Sequence, residues 1–320
     1  MAAVISILGP TAVGKSKIAV EIAKKISGEI ISADSMQVYK GMDIGTAKPT
    51  LKERQGISHY LIDIRNPDEE WTVSAFVQQA DNLTKEISKK GKIPMVVGGT
   101  GLYLWALLEG LSFPIAPANK ELRKRLEKIT LSTLYSRLST IDPQAAEKIN
   151  PNDKKRIIRA LEVFELTEIP ISQLQKKSEE PRIFPITVSY NNASGSRQGG
   201  TFSGSEPILI GLIMPREILY KCIEERVDKM IENGLIQEVE QLLAKGFSKD
   251  LPSFQALGYK EVVKYLDGKW TKEQTMVELK KRTRHFARRQ MTWFKRFKKV
   301  KWFEVPVDTQ AILDYINSRP

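Results

Sequence analysis

The chain has 320 residues, 41% hydrophobic and 28% charged. That is enough for one large domain or two modest ones, and too apolar for wholesale disorder. Its one cysteine, Cys222, excludes a disulfide framework and a cysteine-rich zinc site. No apolar run reaches the length of a membrane span and the start, MAAVISILGP, lacks the charged region of a signal peptide. A cytoplasmic protein with no membrane partner is therefore expected, and a net charge of +12 favours polyanionic partners.

In chain order, residues 3–9 (AVISILG) read as a buried strand. Residues 16–27 follow with apolar side chains at helical spacing, then a second strand over 29–33. The apolar segment 60–64 precedes a helix over 73–90. A strand over 93–99 ends in two glycines, and a further helix begins near Gly101. This alternation predicts an α/β fold, a parallel sheet with helices on both faces. From Asn119 to about Gln175 the pattern is helical and charged. The run from 191 to 207 is rich in Gly, Ser and Asn and reads as a flexible loop, and a buried strand returns over 207–214. Beyond Arg216 the chain is mostly helix, with a last strand over 300–305. The expected organisation is a P-loop α/β core, 1–117 with 202–320, interrupted by a mainly α-helical insertion over 118–201.

The chemistry is most legible at residues 9–16, GPTAVGKS, which match G-x-x-x-x-G-K-[ST] between a strand and a helix. In such a loop the backbone N–H groups of Gly9, Pro10, Thr11, Ala12, Val13 and Gly14 (Pro10 excepted, which has none) close around phosphate oxygens. Lys15 adds a point charge and the Ser16 hydroxyl can ligate Mg²⁺. The motif indicates a bound diphosphate or triphosphate without naming the reaction. Asp34 follows the second strand, where an acid can bind an acceptor or take its proton; the bland reading is a turn aspartate. Gly98, Gly99 and Gly101 would allow close backbone approach to a ligand, with the Thr100 hydroxyl as a donor.

Residues 280–301 hold eleven lysines and arginines and no acid, with Phe286, Trp293, Phe294 and Phe297 interleaved. Helical spacing sets Arg284, Arg288 and Lys295 on one face, and Phe286, Arg289 and Trp293 on another. Such a helix can present cations to a phosphate backbone. Lys155, Arg156 and Arg159 form a second basic cluster. His59 and His285 match no metal spacing.

Together these segments resemble the tRNA dimethylallyltransferases, bacterial type. The resemblance runs through GPTAVGKS (9–16), SADSMQVYKGMDIGTAKP (32–49), HYLIDI (59–64), VVGGTGLY (96–103), PNDKKRIIRALEV (151–163), IMPRE (213–217), QALGYKE (255–261) and RRQMTWFK (288–295). It implies transfer of a dimethylallyl group from dimethylallyl diphosphate to N6 of the adenosine just 3′ of a tRNA anticodon, by a monomer. Asp34 would be the base. Lys15, Thr100, Arg216 and Mg²⁺ on Ser16 would neutralise the departing diphosphate. The resemblance further implies that Asp34, Ser35, Met36, Gln37 and Thr100 meet the target adenosine. Arg123 and the stretch Lys155, Arg156, Ile157, Ile158, Arg159 would face the tRNA anticodon stem-loop. Three rivals stay open on the residues alone: an ATP-binding small-molecule kinase, an adenine-nucleotide isopentenyltransferase and an RNA-binding NTPase.

Overall fold

Four short apolar runs, 5–8, 28–32, 93–98 and 208–213, are buried almost without break. This is the pattern of strands covered on both faces. The structure, a computed structural model, describes residues 4–110, 118–174, 186–189, 201–204 and 206–319. In chain order the elements are β1 (Ile5–Leu8), α1 (Lys15–Ile26), β2 (Gly28–Ser32), α2 (Leu51–Arg54), β3 (His59–Tyr60), α3 (Val73–Lys89), β4 (Ile93–Gly98) and α4 (Gly101–Leu108). Then come α5 (Lys120–Glu127), α6 (Leu131–Ile141), α7 (Pro143–Lys148), α8 (Lys154–Thr167), α9 (Ile171–Leu174), β5 (Ile186–Ser189) and β6 (Thr201–Gly204). The remainder is β7 (Ile208–Ile213), α10 (Arg216–Glu232), α11 (Leu235–Ala244), α12 (Tyr259–Leu266), α13 (Lys272–Phe294), β8 (Lys301–Glu304) and α14 (Thr309–Asn317).

Six strands form one sheet in the order β3-β2-β4-β1-β7-β8, and every neighbouring pair is parallel. The α/β core expected from alternation is thus present. The chain leaves β1 toward β2 on one side, while β7 pairs with β1 on the other. A sheet order that reverses in this way opens a crevice beyond the carboxyl ends of its strands. The segment 60–64 supplies only Tyr60 to the two-residue β3, because Leu61 and Asp63 take φ of 61° and 57° and turn the chain away. Part of the expected Gly/Ser loop is ordered differently: Thr201–Gly204 pairs antiparallel with Ile186–Ser189. Residues 190–200 and 205 of that stretch lie outside the described residues.

The chain divides into two compact units, Met1–Leu108 with Arg182–Pro320, and Glu109–Pro181. Residues 111–117, which adjoin the expected first boundary of the insertion, and 175–185, within it, lie outside the described residues. In the larger unit, a second core beside the sheet joins Val38, Met42, Val227, Leu235, Phe254, Tyr259 and Leu279. It fastens the segment after β2 to α10–α13. The smaller unit packs α5–α9 around Leu122, Leu134, Leu138, Ile157 and Leu161.

Candidate active site

The phosphate loop follows β1, and α1 begins at Lys15 with Gly14 in the left-handed region at φ 93°, a conformation glycine adopts without strain. No side chain caps this helix end, so its first N–H groups are available to an anion. Lys15 Nζ donates to the carbonyls of Gly9 at 2.9 Å and Pro10 at 2.7 Å. Burial of the ammonium, reinforced by Arg226 and opposed by Asp34, lowers its pKa to about 7. The Ser16 side chain is exposed at the loop mouth.

A 290 Å³ cavity opens beside the loop. Thr11, Asp34, Thr100 and Arg226 contribute its polar wall, while Val227, Met230, Leu279 and Phe286 contribute apolar surface. Asp34 Oδ1 accepts from the N–H of Met36 at 2.9 Å and of Gln37 at 3.4 Å. The turn role expected of an aspartate is therefore real, yet it occupies one oxygen only. No donor among the described residues is bonded to Oδ2. Thr100 comes to Asp34 from β4: its N–H donates to Ala33 O at 3.2 Å and its Oγ1 accepts from Ser35 N at 3.1 Å. Sixty-odd residues of sequence separation are closed by the parallel pairing of β2 with β4.

Several of the expected groups have partners within the chain. Gly98, Gly99 and Gly101 are required by close packing within the chain. A Cβ would stand 2.2 Å from Ala33 O at Gly98, 2.3 Å from Gln290 Nε2 at Gly99 and 2.5 Å from Trp293 Cβ at Gly101. Gln37 is engaged within the chain. Its Oε1 accepts from Ser32 Oγ at 3.1 Å and its Nε2 donates to Thr46 O at 3.3 Å and Ala47 O at 3.4 Å, so it braces the wall formed by Thr46 and Ala47. Arg216 is exposed; its Nε donates to Tyr220 Oη at 3.1 Å and its guanidinium lies 5.1 Å from the ring centre. It is outside the cavity wall.

Arg226 stands in the wall instead, donating to Thr11 Oγ1 at 3.2 Å. Burial holds its pKa below the usual arginine value, against the pull of Asp34. Gln290, buried in α13, ties the two glycine turns together: its Oε1 accepts Thr11 N–H at 2.8 Å and its Nε2 donates to Gly99 O at 2.9 Å. Arg226 sits in a charged helical stretch without a motif, and Gln290 falls within RRQMTWFK (288–295), where no role was read for it. The only sequence signal is that each lies on a buried stripe, beside Val227 and Ala287.

The basic segment is also less free than its composition suggests. Lys280 bonds Asp228 and Arg284 bonds Glu224, both acids of α10, and Arg282 and Lys281 bond Glu278. Arg284 therefore does not join Arg288 and Lys295 as a free cation. Arg288, Arg289 and Lys295 are exposed and have no ion pair among the described residues.

In the smaller unit, Arg123 and Arg159 converge on Glu162, which has no exposed surface. Arg123 meets it through Nε at 2.8 Å and Nη2 at 2.9 Å, and Arg159 through Nη1 at 2.6 Å. Burial opposes the charge of Glu162, but these bonds and one from Asn119 N–H outweigh it and hold the carboxyl below its usual range. Ile157 and Ile158 are buried in this unit's core, so their side chains do not face RNA. Lys155 and Arg156 on the same helix are exposed.

Among the described residues no group of three or more His, Cys, Asp or Glu could cage a metal. The Ser16 hydroxyl, exposed at the loop mouth, is a hard oxygen of the kind Mg²⁺ takes while keeping several waters. No helix among them is long and apolar enough to cross a membrane.

The sequence model of the IPP transferase family matches residues 37–297. A protein of Thermoanaerobacter sp. (strain X514) named tRNA dimethylallyltransferase is 48% identical, covering 94% of this chain and 91% of its own length. Among solved structures, the tRNA isopentenylpyrophosphate transferase of Bacillus halodurans is 40% identical with a TM-score of 0.69, covering 99% of this chain and 96% of that one. A eukaryotic dimethylallyltransferase acting on tRNA is 29% identical with a TM-score of 0.78, covering 99% and 80%.

Proposed function

The chain belongs to the IPP transferase family, and from that premise we propose that it transfers a dimethylallyl group from dimethylallyl diphosphate to N6 of the adenosine 3′-adjacent to a tRNA anticodon, releasing diphosphate. The observation that carries this reading is one cavity in which Thr11 of the phosphate loop, Asp34 and Thr100 share a wall with Arg226, facing apolar side chains. A prenyl diphosphate has that division, a charged head and a hydrocarbon tail.

In the reaction the N6–C bond forms as the C–O bond to diphosphate breaks. The adenine amine is a weak nucleophile because its lone pair is delocalised into the ring. Asp34 accepts the N6 proton as the bond forms, using the oxygen that the turn leaves free. The loop N–H groups, Lys15, Thr100 and Arg226 hold negative charge as it gathers on the leaving diphosphate. Mg²⁺ bound by the Ser16 hydroxyl and the diphosphate would add a further positive charge there. The target base leaves its stack to reach Asp34. Lys155 and Arg156 contact the tRNA backbone, and the protein acts as a cytoplasmic monomer.

The test is incubation with Mg²⁺, unmodified tRNA and dimethylallyl diphosphate, followed by nucleoside mass spectrometry. The expected product is an adenosine heavier by one dimethylallyl group. An adduct on free AMP or ADP but none on tRNA, or ATP turnover without any adduct, would overturn the reading.

A further inference from the structure

On the basis of the reaction just described, we propose that Gln290 is a positioning residue. It fixes the spacing between the phosphate loop and the turn that carries Thr100, so that a bound donor's allylic carbon faces the amine beside Asp34. Gln290 is 5% exposed and lies on the buried stripe of α13 with Thr283, Ala287 and Phe294. Its Oε1 accepts the Thr11 N–H at 2.8 Å and its Nε2 donates to Gly99 O at 2.9 Å. These partners settle which way the amide points, since only its oxygen can meet an N–H and only its nitrogen a carbonyl.

The need to satisfy buried backbone does not by itself call for this arrangement. The two partners lie 279 and 191 residues away on different loops, and each loop is assigned one half of the reaction. Pairing of β1 with β4 ends at Leu8 and Gly98, and pairing of β2 with β4 ends at Ser32 and Val97. Beyond those ends the acceptor side is joined to itself. Thr100 N–H donates to Ala33 O at 3.2 Å, and Thr100 Oγ1 accepts from Ser35 N at 3.1 Å. No hydrogen bond among the described residues runs directly from loop residues 11–14 to that turn. Gln290 supplies the link, with Thr11 on one side and Gly99 on the other. Trp293 is seated on the same turn, its Cβ 2.5 Å from where a Cβ would stand at Gly101. Arg226 of α10 holds the Thr11 hydroxyl at 3.2 Å, so both polar groups that could let Thr11 drift are fixed.

Alkyl transfer is sensitive to this spacing. The C–O bond to diphosphate breaks as the N6–C bond forms, and an error of about 1 Å in placing the reacting groups can cost about 10²-fold in rate. An allylic carbon that the amine does not reach is open to water, the side reaction that a closed site prevents. There a C–O bond forms to water, the water gives one proton to solvent, and a five-carbon alcohol leaves with diphosphate.

The experiment compares the parent with Gln290→Asn and Gln290→Leu, using Mg²⁺, dimethylallyl diphosphate and unmodified tRNA, well below each melting temperature. Asn keeps both amide groups on a side chain one carbon shorter, which cannot reach both loops; Leu removes the amide. In each variant kcat for the adduct should fall by about 10²-fold while KM for both substrates holds. Diphosphate release should exceed adduct formation. Should Gln290→Leu not fold, Gln290→Asn carries the test. A parent-like kcat in Gln290→Asn overturns the inference. A raised donor KM at unchanged kcat overturns it too, and makes Gln290 a support of donor binding alone. A kcat that returns to the parent value once only folded protein is counted leaves Gln290 a structural residue and likewise overturns it. A parent that forms no tRNA adduct instead overturns the reaction on which the inference rests.

Discussion

The Tyr259 hydroxyl donates to Glu238 Oε1 at 2.5 Å, and the same carboxylate accepts the backbone N–H groups of Asp43, Ile44 and Gly45 at 2.9, 2.8 and 3.2 Å. One side chain of α11 thereby satisfies three consecutive donors of the loop that ends in the cavity wall Gly45-Thr46-Ala47. Gly45 lies so close to the Tyr259 ring that a Cβ would stand 2.4 Å from it. Burial pushes the Tyr259 phenol up, helped by the Glu238 charge, so it remains a donor throughout the working pH range.

Glu238→Ala removes an ionised acceptor from four donors. Hydrogen bonds to charged groups contribute about 1.5–3 kcal/mol each, but water will reach part of this half-buried site. We expect a loss of about 3 kcal/mol in urea denaturation, together with a raised KM as the wall loosens. Glu238→Gln keeps one acceptor oxygen and should fall between. Parent-like stability and KM in Glu238→Ala would show that the loop holds itself.

Asp34 carries two separable duties. Asp34→Asn retains an oxygen for the Met36 and Gln37 N–H groups and so keeps the turn, but it has no useful basicity. It should lose about 10²–10⁴ in rate, the usual size of general-base assistance, with unchanged tRNA affinity and melting temperature. Asp34→Ala should lose the same rate and some stability as well. Full turnover by Asp34→Asn in a single-turnover assay would confine Asp34 to the turn.

The contrast with Glu238 explains what the sequence made legible. Strands β1, β2, β4 and β7 are runs of Ile, Val and Leu buried on both faces, and the phosphate loop is contiguous; local pattern is enough to find them. Asp34 stood out because it follows a strand. Glu238, Arg226 and Gln290 sit on helices where polar residues are ordinary, and what distinguishes them is a partner far along the chain: 193 residues from Glu238 to Gly45, 215 from Arg226 to Thr11. The same blindness made α13 look like a free basic face. Its carboxylate partners Glu224 and Asp228 belong to α10, which one-dimensional spacing does not bring near.

Lys15 offers a pH signature. Its pKa is about 7 in the folded protein against 10.5 for the exposed side chain. Between those values the unfolded chain holds a proton that the folded chain has released, so unfolding free energy rises with pH across the window. Below pH 7 both states are charged and the folded protein bears the cost of burying the ammonium. Relative to Lys15→Met, the ligand-free parent should therefore gain stability from pH 7 toward pH 10, by at most about 1.4 kcal/mol per unit. Urea denaturation at four pH values measures this; parallel curves for the two proteins would mean that the ammonium is well solvated.

Arg123 was expected to touch RNA, and its bonds to Glu162 give it a second reason to be there. Arg123→Ala strips two of the four bonds from a carboxylate with no exposed surface. Breaking a buried pair by removing one partner costs about 3–5 kcal/mol, largely because a buried charge is left short of partners. Since Arg123 is itself part-exposed and Arg159 remains, about 3 kcal/mol is expected, read as a lowered melting temperature of the full chain. The double variant Arg123→Ala, Glu162→Gln separates the two roles. It relieves the stranded charge, so stability should recover in part, whereas any direct contact of Arg123 with RNA stays lost. tRNA affinity that recovers along with stability would assign Arg123 to the architecture of its unit; affinity that stays low in the double variant would keep it as an RNA contact. Parent-like melting of Arg123→Ala would remove the buried pair as a source of stability altogether.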